Sequence, residues 1–568
     1  MSTTTSIRTI PRSLLAASSA LLLACSSDPV EDSSSTTGAT SSSSGATSSS
    51  SGTGGGGGSG PLTYGPCPEG YLTECATIQV PLDHAHPGET IDFHFARYPA
   101  AMQPAKRQVW LLAGGPGQAG YVYGKRVAAL AEAMPDADIF APDHRGTGYS
   151  HRLSCPQQDA PNTYGGYVLD PIDGEACLEA LKAKGDFQRL AYFTTTQAAG
   201  DVLAGIAAAR TSAEEKVFVI GASYGTHWAH RMVQLAPNDL DGVVFDGFLT
   251  PHHFAFLDYD GAAEEAGEAL AAACDADASC TAHLGPGGAL AKVHAVLDTL
   301  GTTPCGPFTK EQARTLISVL LDPWGGRAMI FPAVHRLERC TDADQDALVF
   351  LANTYYGLLA NAYKVPFVNS GILQNNIVLS ELWALPGEVE PPKAEMIAAA
   401  DAQAFLAGGS LPGKLVDMRA YWPQPPDDYS ALPFPANTTA KMLWLGAKLD
   451  AHASVSQAGK ITEVYPSADY VSLDGASHTP MGQSPLASDP TKTCGAKIAT
   501  SFVESDGVLD ASCATDDLLP LRLEAPDGMF ATKWWNTADD WGDGTPKPLA
   551  LAGASVVVEP TMAVRLPR

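Results

Sequence analysis

Three observations predict an α/β fold: a mostly parallel sheet flanked by helices, with an inserted helical cap. Short apolar runs of strand length alternate with segments of helical period in residues 61–250, and again in 432–514. The intervening residues 251–431 carry helical patterns and no clear strand. A Gly-x-Ser-x-Gly sequence joins a β-branched run to a helical one.

The elements follow in order. Residues 91–97 alternate as a strand, and 108–113 form a short apolar run that stops at Gly114-Gly115-Pro116-Gly117. Another short run at 138–141 leads into Pro142 and a Gly-rich turn. An Ala-rich helical pattern covers 195–210, a five-residue strand covers 216–220, and a helix pattern begins at 226 and runs to 235. Residues 242–245 read as the next strand. Strands buried on both faces and joined by helices indicate parallel pairing. Within 251–431, helices are expected at 262–273, 289–300, 310–321, 344–359 and 393–407. Alternation then returns with a strand at 441–445, a helix through 456–464 and a strand at 470–473. Beyond Cys513 lie Trp534, Trp535, Trp541 and a short strand pattern at 556–558; packing onto the main body is the expectation for this tail.

The chain has 568 residues, 45% of them hydrophobic, enough to bury a large core. Its 62 acidic and 35 basic residues give a net charge of −27, which repels phosphate backbones and excludes nucleic acid as a partner. Arg8 and Arg12 precede a small apolar run at 13–24 ending Leu22-Leu23-Ala24-Cys25, the layout of a secretory signal. A cysteine after Leu-Leu-Ala resembles the bacterial lipobox, which implies that Cys25 becomes the lipidated first residue of the mature chain. Ser26 follows rather than Asp, which in Gram-negative lipoproteins suggests the outer membrane. Residues 26–60 are Ser, Thr and Gly with little else, a flexible tether with a root-mean-square reach of roughly 30–35 Å. The membrane is thus expected as a partner only through the lipid.

Removing Cys25 leaves an even set of cysteines, which outside the cytosol reads as disulfides. The short sequence gaps make nearest-neighbour pairs the simplest arrangement: 67–75, 155–177, 274–280, 305–340 and 494–513. Neither Cys-x-x-Cys nor His-Glu-x-x-His spacing occurs, so zinc has no support and no cofactor is expected. Asp342-Ala-Asp344-Gln-Asp346 begins like a calcium loop but has Ala347 where the turn needs Gly, so a solvated helix start is expected.

The chemistry converges on Ser223. Gly221-Ala222-Ser223-Tyr224-Gly225, after a strand and before a helix, has the form of a nucleophile elbow. Such a turn needs small residues two before and two after the serine. The helix start beneath the hydroxyl favours developing negative charge. A serine needs a base and the base an orienting acid, in the chain order Ser, acid, His. Asp450 follows the 441–445 strand and His478 follows the 470–473 strand, both beyond carboxyl ends of strands. Ser223 is therefore read as nucleophile, His478 as general base and then acid, and Asp450 as the group that fixes the imidazole tautomer. Asp246, His227 and His452 are weaker rivals. The oxyanion hole is expected from the backbone N–H groups of Tyr224 and Gly115.

Gly114-Gly115-Pro116-Gly117, Asp143-His144-Arg145-Gly146-Thr147-Gly148-Tyr149-Ser150 and the Ser223 pentapeptide occur in that order. Together they resemble the proline iminopeptidase and tripeptidyl aminopeptidase group of α/β-hydrolases, and Trp422-Pro423, the Asp450 and His478 loops, Cys494 and Cys513 resemble the C-terminal segment of the secreted tripeptidyl branch. Ala113 stands where the family has His, and His452-Ala-Ser replaces its proline-rich continuation after the acid. The resemblance spans about residues 61–514 and implies an α/β-hydrolase fold. It also implies an exopeptidase releasing an amino acid, proline or tripeptide from peptides with a free N-terminus. The alternative is a carboxylesterase or lipase-like hydrolase on the same residues, since fold alone does not separate the two. An aminopeptidase needs carboxylates near the substrate ammonium, and the cap supplies Glu264, Glu265, Glu268, Glu338, Glu381, Glu388 and Glu390. The chain thus reads as a lipoprotein signal (1–25), linker (26–60), core (61–250), cap (251–431), core (432–514) and an unassigned extension (515–568).

Overall fold

The computed structural model describes residues 62–548 apart from 125, 162, 363–364, 408–410, 427–433 and 436. Cys25, the 26–60 linker and the 556–558 strand pattern lie outside these residues. Nine strands form one sheet: β1 (Gly65–Pro66), β2 (Glu74–Pro81), β3 (Thr90–Tyr98), β4 (Arg107–Leu112), β5 (Ala137–Pro142), β6 (Lys216–Ala222), β7 (Gly242–Asp246), β8 (Lys441–Gly446) and β9 (Asp469–Ser472). Their spatial order is β1-β2-β3-β5-β4-β6-β7-β8-β9. The pairs from β1 to β3 and β3–β5 are antiparallel, and every pair from β5 through β9 is parallel.

Side chains alternate across the sheet with period two, which splits the core into two layers. Trp110 and Leu112 of β4 share one face with Val202 of helix α2 (Thr195–Ala209) and Trp228 of helix α3 (Tyr224–Leu235). Val109 and Leu111 face the other way, against Val127 of helix α1 (Val127–Ala133) and Ile498 and Phe502 of helix α4 (Cys494–Glu504). Thr194 caps α2 by accepting from Gln197 N–H. The strands predicted in the core all form, within a residue or two of their expected ends. β1, β2 and α1 went unpredicted because their periodicity is short or broken. The helix expected over 456–464 opens instead as a 3-10 turn, Val455–Lys460, before one α-turn, Ile461–Val464.

Between β7 and β8 the chain is helical, including Tyr259–Ala276, Ala289–Thr302, Lys310–Leu321, Asp342–Ala362 and Lys393–Ala402. Thr309 and Gln312 form a reciprocal capping box that starts Lys310–Leu321. Asp344 is not the solvated residue expected from sequence. It is buried between Arg336 (3.2 Å) and Arg339, because the turn after the Cys340 helix end folds it back onto both cations. The tail rests on this insertion. Arg336 donates to Asp540 O at 2.6 Å and Asp539 O at 2.8 Å, and Trp534, Trp535 and Trp541 are buried.

The disulfides are Cys67–Cys75, Cys155–Cys177, Cys274–Cys280, Cys305–Cys340 and Cys494–Cys513, the sequence-neighbour pairs throughout. These disulfides among the described residues point to an exported or extracellular protein. Among the described residues no helix is long and apolar enough to cross a membrane.

Candidate active site

Ser223 sits between β6 and α3 with φ 56° and ψ −125°, a strained backbone for a residue with a β-carbon. The strain is held by close approach on both sides. A β-carbon on Gly221 would lie 2.2 Å from Gly225 O, and one on Gly225 would lie 2.2 Å from Leu112 O. Only glycine fits either position, as the motif reading required. The second contact also seats the end of β4, and so the Gly114–Gly117 loop, beside the elbow.

Asp450 follows β8 and His478 follows β9, at the same carboxyl edge of the sheet. His478 Nδ1 lies 2.9 Å from each Asp450 oxygen, and both residues are buried. Burial pushes the Asp450 carboxyl up, but the His478 and His452 imidazoles and the His452 backbone N–H outweigh it and hold the group below its ordinary range. An ionised Asp450 selects the tautomer with its proton on Nδ1, which leaves Nε2 as the basic nitrogen. Ser223 and His478 are built against the same two-residue segment. Ser223 N–H donates to Asp246 O at 2.9 Å, and a β-carbon on the adjacent Gly247 would come within 3.1 Å of His478 Nδ1.

The side chains of the rivals have other partners. Asp246 accepts from Met481 N–H at 2.9 Å, and burial raises its carboxyl to about 7 despite that bond and the nearby His478. His227 Nε2 lies 3.8 Å from Glu381 Oε2. His452 lies between Tyr259 and Asp322.

Tyr224 opens α3 with its N–H at the helix start, and its hydroxyl meets Thr195 Oγ1 at 2.7 Å and His144 Nε2 at 3.1 Å. His144 Nδ1 donates to Arg145 O at 2.8 Å, so Nε2 accepts from Tyr224; burial lowers this imidazole to about 4 and keeps it neutral. Gly115 has φ 114°, and a β-carbon there would lie 2.9 Å from Gly117 N. The insertion grips this loop: Ser370 N–H donates to Gly117 O at 2.9 Å, and Asn369 Oδ1 accepts from Ala119 N–H at 3.1 Å.

The Asp143–Ser150 segment is scaffolding for the same edge. Asp143 accepts from Gly120 N–H, Tyr149 N–H and Tyr71 Oη. Arg145 forks onto Asp201 at 2.7 and 2.5 Å and also donates to Pro81, Leu82 and Tyr192 carbonyls. With every donor used, this buried pair is satisfied; losing either partner would strand a charge.

A cavity of about 190 Å³ lies between the helix after the elbow and the start of the insertion. Its lining includes His227, Leu249, His252 and Glu381. Thr226, next to the lining residue His227, donates from its hydroxyl to Ser223 O at 2.6 Å and accepts from the N–H of the lining residue Leu249 at 3.0 Å. Of the cap glutamates, none of which the sequence singles out as a site residue, Glu381 lines this cavity. Glu264 instead accepts from Ala404 and Phe405 N–H, and Glu265 from Ser454 and Ser456. Among the described residues no cluster suits a metal ion.

The sheet order and the placement of Ser223, Asp450 and His478 at its carboxyl edge define the α/β-hydrolase fold. Residues 109–265 match the family described as alpha/beta hydrolase fold. Solved structures similar to the chain include a proline iminopeptidase from Mycobacterium smegmatis, at 14% identity and TM-score 0.34, covering 76% of this chain and 99% of that one. An esterase from Thermogutta terrifontis shows 13% identity and TM-score 0.31 over 76% and 99%. A laboratory-evolved variant of a potato epoxide hydrolase shows 14% identity and TM-score 0.32 over the same shares. None of the curated proteins matches the sequence.

Proposed function

We propose that the chain is a serine exopeptidase that releases N-terminal residues from peptides through an acyl-enzyme. The observation that carries this reading is the Asp450–His478 pair, built at the same sheet edge as the strained Ser223 turn. Ser223 Oγ attacks the scissile carbonyl and passes its proton to His478 Nε2, while Asp450 stabilises the imidazolium. The N–H groups of Tyr224 and Gly115 receive the charge on the carbonyl oxygen. His478 returns the proton to the departing amine, and water then repeats the sequence on the acyl-Ser223 ester. Two features support action at a free N-terminus: the insertion grips loops of the carboxyl edge through Ser370, Asn369 and Arg327, and the carboxylate of Glu381 in a cavity beside the helix that follows Ser223 suits an ammonium group.

A panel of chromogenic aminoacyl and tripeptidyl amides, free and N-acetylated, beside short esters, tests the reading. Cleavage confined to free N-termini is expected. Turnover of esters alone would make the protein a carboxylesterase on the same residues. We further propose that lipid on Cys25 anchors the protein to the cell envelope; Cys25→Ser is expected to move it from the membrane pellet to the soluble fraction.

A further inference from the structure

One turn of the insertion reaches both loops that carry the Asp450–His478 pair. It begins at Leu321, the end of the helix Lys310–Leu321, and closes at the buried Arg327. The Arg327 guanidinium donates to Leu449 O at 2.7 Å, next to Asp450, and to Gly475 O at 2.7 Å and Ala476 O at 3.0 Å, just before His478. Its Nε donates to Leu321 O at 3.0 Å, which ties the side chain to its own turn. Asp322 adds two contacts: its backbone oxygen accepts from Ser477 Oγ, and its Oδ1 lies 3.1 Å from His452 Nε2. His452 Nδ1 meets Tyr259 Oη at 2.5 Å, its ring centroid lies 4.7 Å from that of His478, and its N–H donates to Asp450 Oδ1 at 2.9 Å.

We infer that Arg327 is a positioning residue that sets the spacing of Asp450 and His478 by holding the backbones of both loops. The inference rests on the proposed roles of Ser223, His478 and Asp450. A guanidinium is suited to this because its donors form a rigid planar fork that spans carbonyls from two loops at once. An ammonium is a point donor and grips one loop well. An acid–imidazole pair must be held to within about 0.5 Å to work, and a shift of about 1 Å costs on the order of 100-fold in rate. The groups facing His478 are Asp450, Asp246 and His452, the last fixed in turn by Tyr259 and Asp322.

The test is the rate at which a fluorophosphonate labels Ser223 in the full chain between pH 5 and 9. Labelling of the wild type at Ser223 is expected; its absence would remove the underlying roles, not this inference alone. With the wild type labelled, Arg327→Lys is expected to slow labelling by about 100-fold. The midpoint of the pH profile is expected to move down, because a displaced Asp450 stabilises the imidazolium less. Ser477→Ala keeps Arg327 and loses only the bond to Asp322 O, with a smaller shift in the same direction expected. A folded Arg327→Lys protein with wild-type rate and midpoint overturns the inference. If that variant does not fold, an unchanged profile in Ser477→Ala overturns it. A variant that lost only thermal stability would show neither change in the profile.

Discussion

Asp450 meets His478 with both carboxylate oxygens at 2.9 Å from Nδ1, while the N–H groups of His452 and Ala453 hold its Oδ1, also at 2.9 Å. An amide at this position keeps the shape of the contact but can turn its NH₂ toward the ring and favour the wrong tautomer. Asp450→Asn is therefore expected to lower kcat by about 10⁴-fold, the scale known for that exchange in a serine protease triad. Stopped or continuous assay with the best amide of the panel measures it, and a loss under tenfold would contradict the assigned role.

Ser223 carries its strain whether or not it reacts. Ser223→Ala is expected to abolish fluorophosphonate labelling with little change in melting temperature, since alanine inherits the φ of 56°. Ser223→Gly also abolishes labelling but relieves the strain, and is expected to be more stable than the alanine variant by about 1 kcal/mol. Chemical unfolding of the two variants side by side reads this difference.

Two buried carboxyls give stability a pH dependence of defined sign. Burial raises Asp143 to about 7 against the hydrogen bonds from Tyr149, Tyr71 and Gly120, and it raises Asp246 to the same level. Both groups bind protons more tightly in the folded state than in the unfolded chain, where the ordinary value is 3.8. Their contribution is therefore fully present below about pH 4 and is lost as pH rises through about 7. Asp246→Asn is expected to flatten the fall in melting temperature between pH 5 and 7.5 relative to the wild type. Parallel curves would refute it.

The Cys305–Cys340 bond closes a loop with a sequence separation of 35. Chain entropy puts its contribution at about 3–4 kcal/mol. Replacing both cysteines with serine is expected to lower the denaturation midpoint accordingly, and the insertion, where both cysteines lie, is expected to show the largest gain in hydrogen exchange.

The parallel core was legible because each strand is an apolar run with a clear end: the run of β6 meets Gly221 and that of β4 meets Gly114. Ser223, Asp450 and His478 were legible because each follows such a run, so chain order alone places them at one edge. Arg327 and Asp322 were not. Their partners, at Leu449 and Ser477, are 122 and 155 residues away, and no local spacing encodes a contact that only the finished fold creates. The burial of Asp344 was illegible for a similar reason: the acidic cluster reads as solvated, and only the fold closes Arg336 and Arg339, on the preceding helix, onto it. Gly247 carried a faint local signal as the glycine directly after a strand, but nothing in the sequence says that it makes room for His478.

Synthesis runs from the serine toward the histidine. When a ribosome has made Arg327, the Leu449, Gly475 and Ala476 carbonyls it will bind do not yet exist, and the nucleophile waits without a base. On the roles proposed, hydrolytic power arrives only as β8 and β9 dock at the end of the sheet, which spares neighbouring polypeptides from a half-made enzyme.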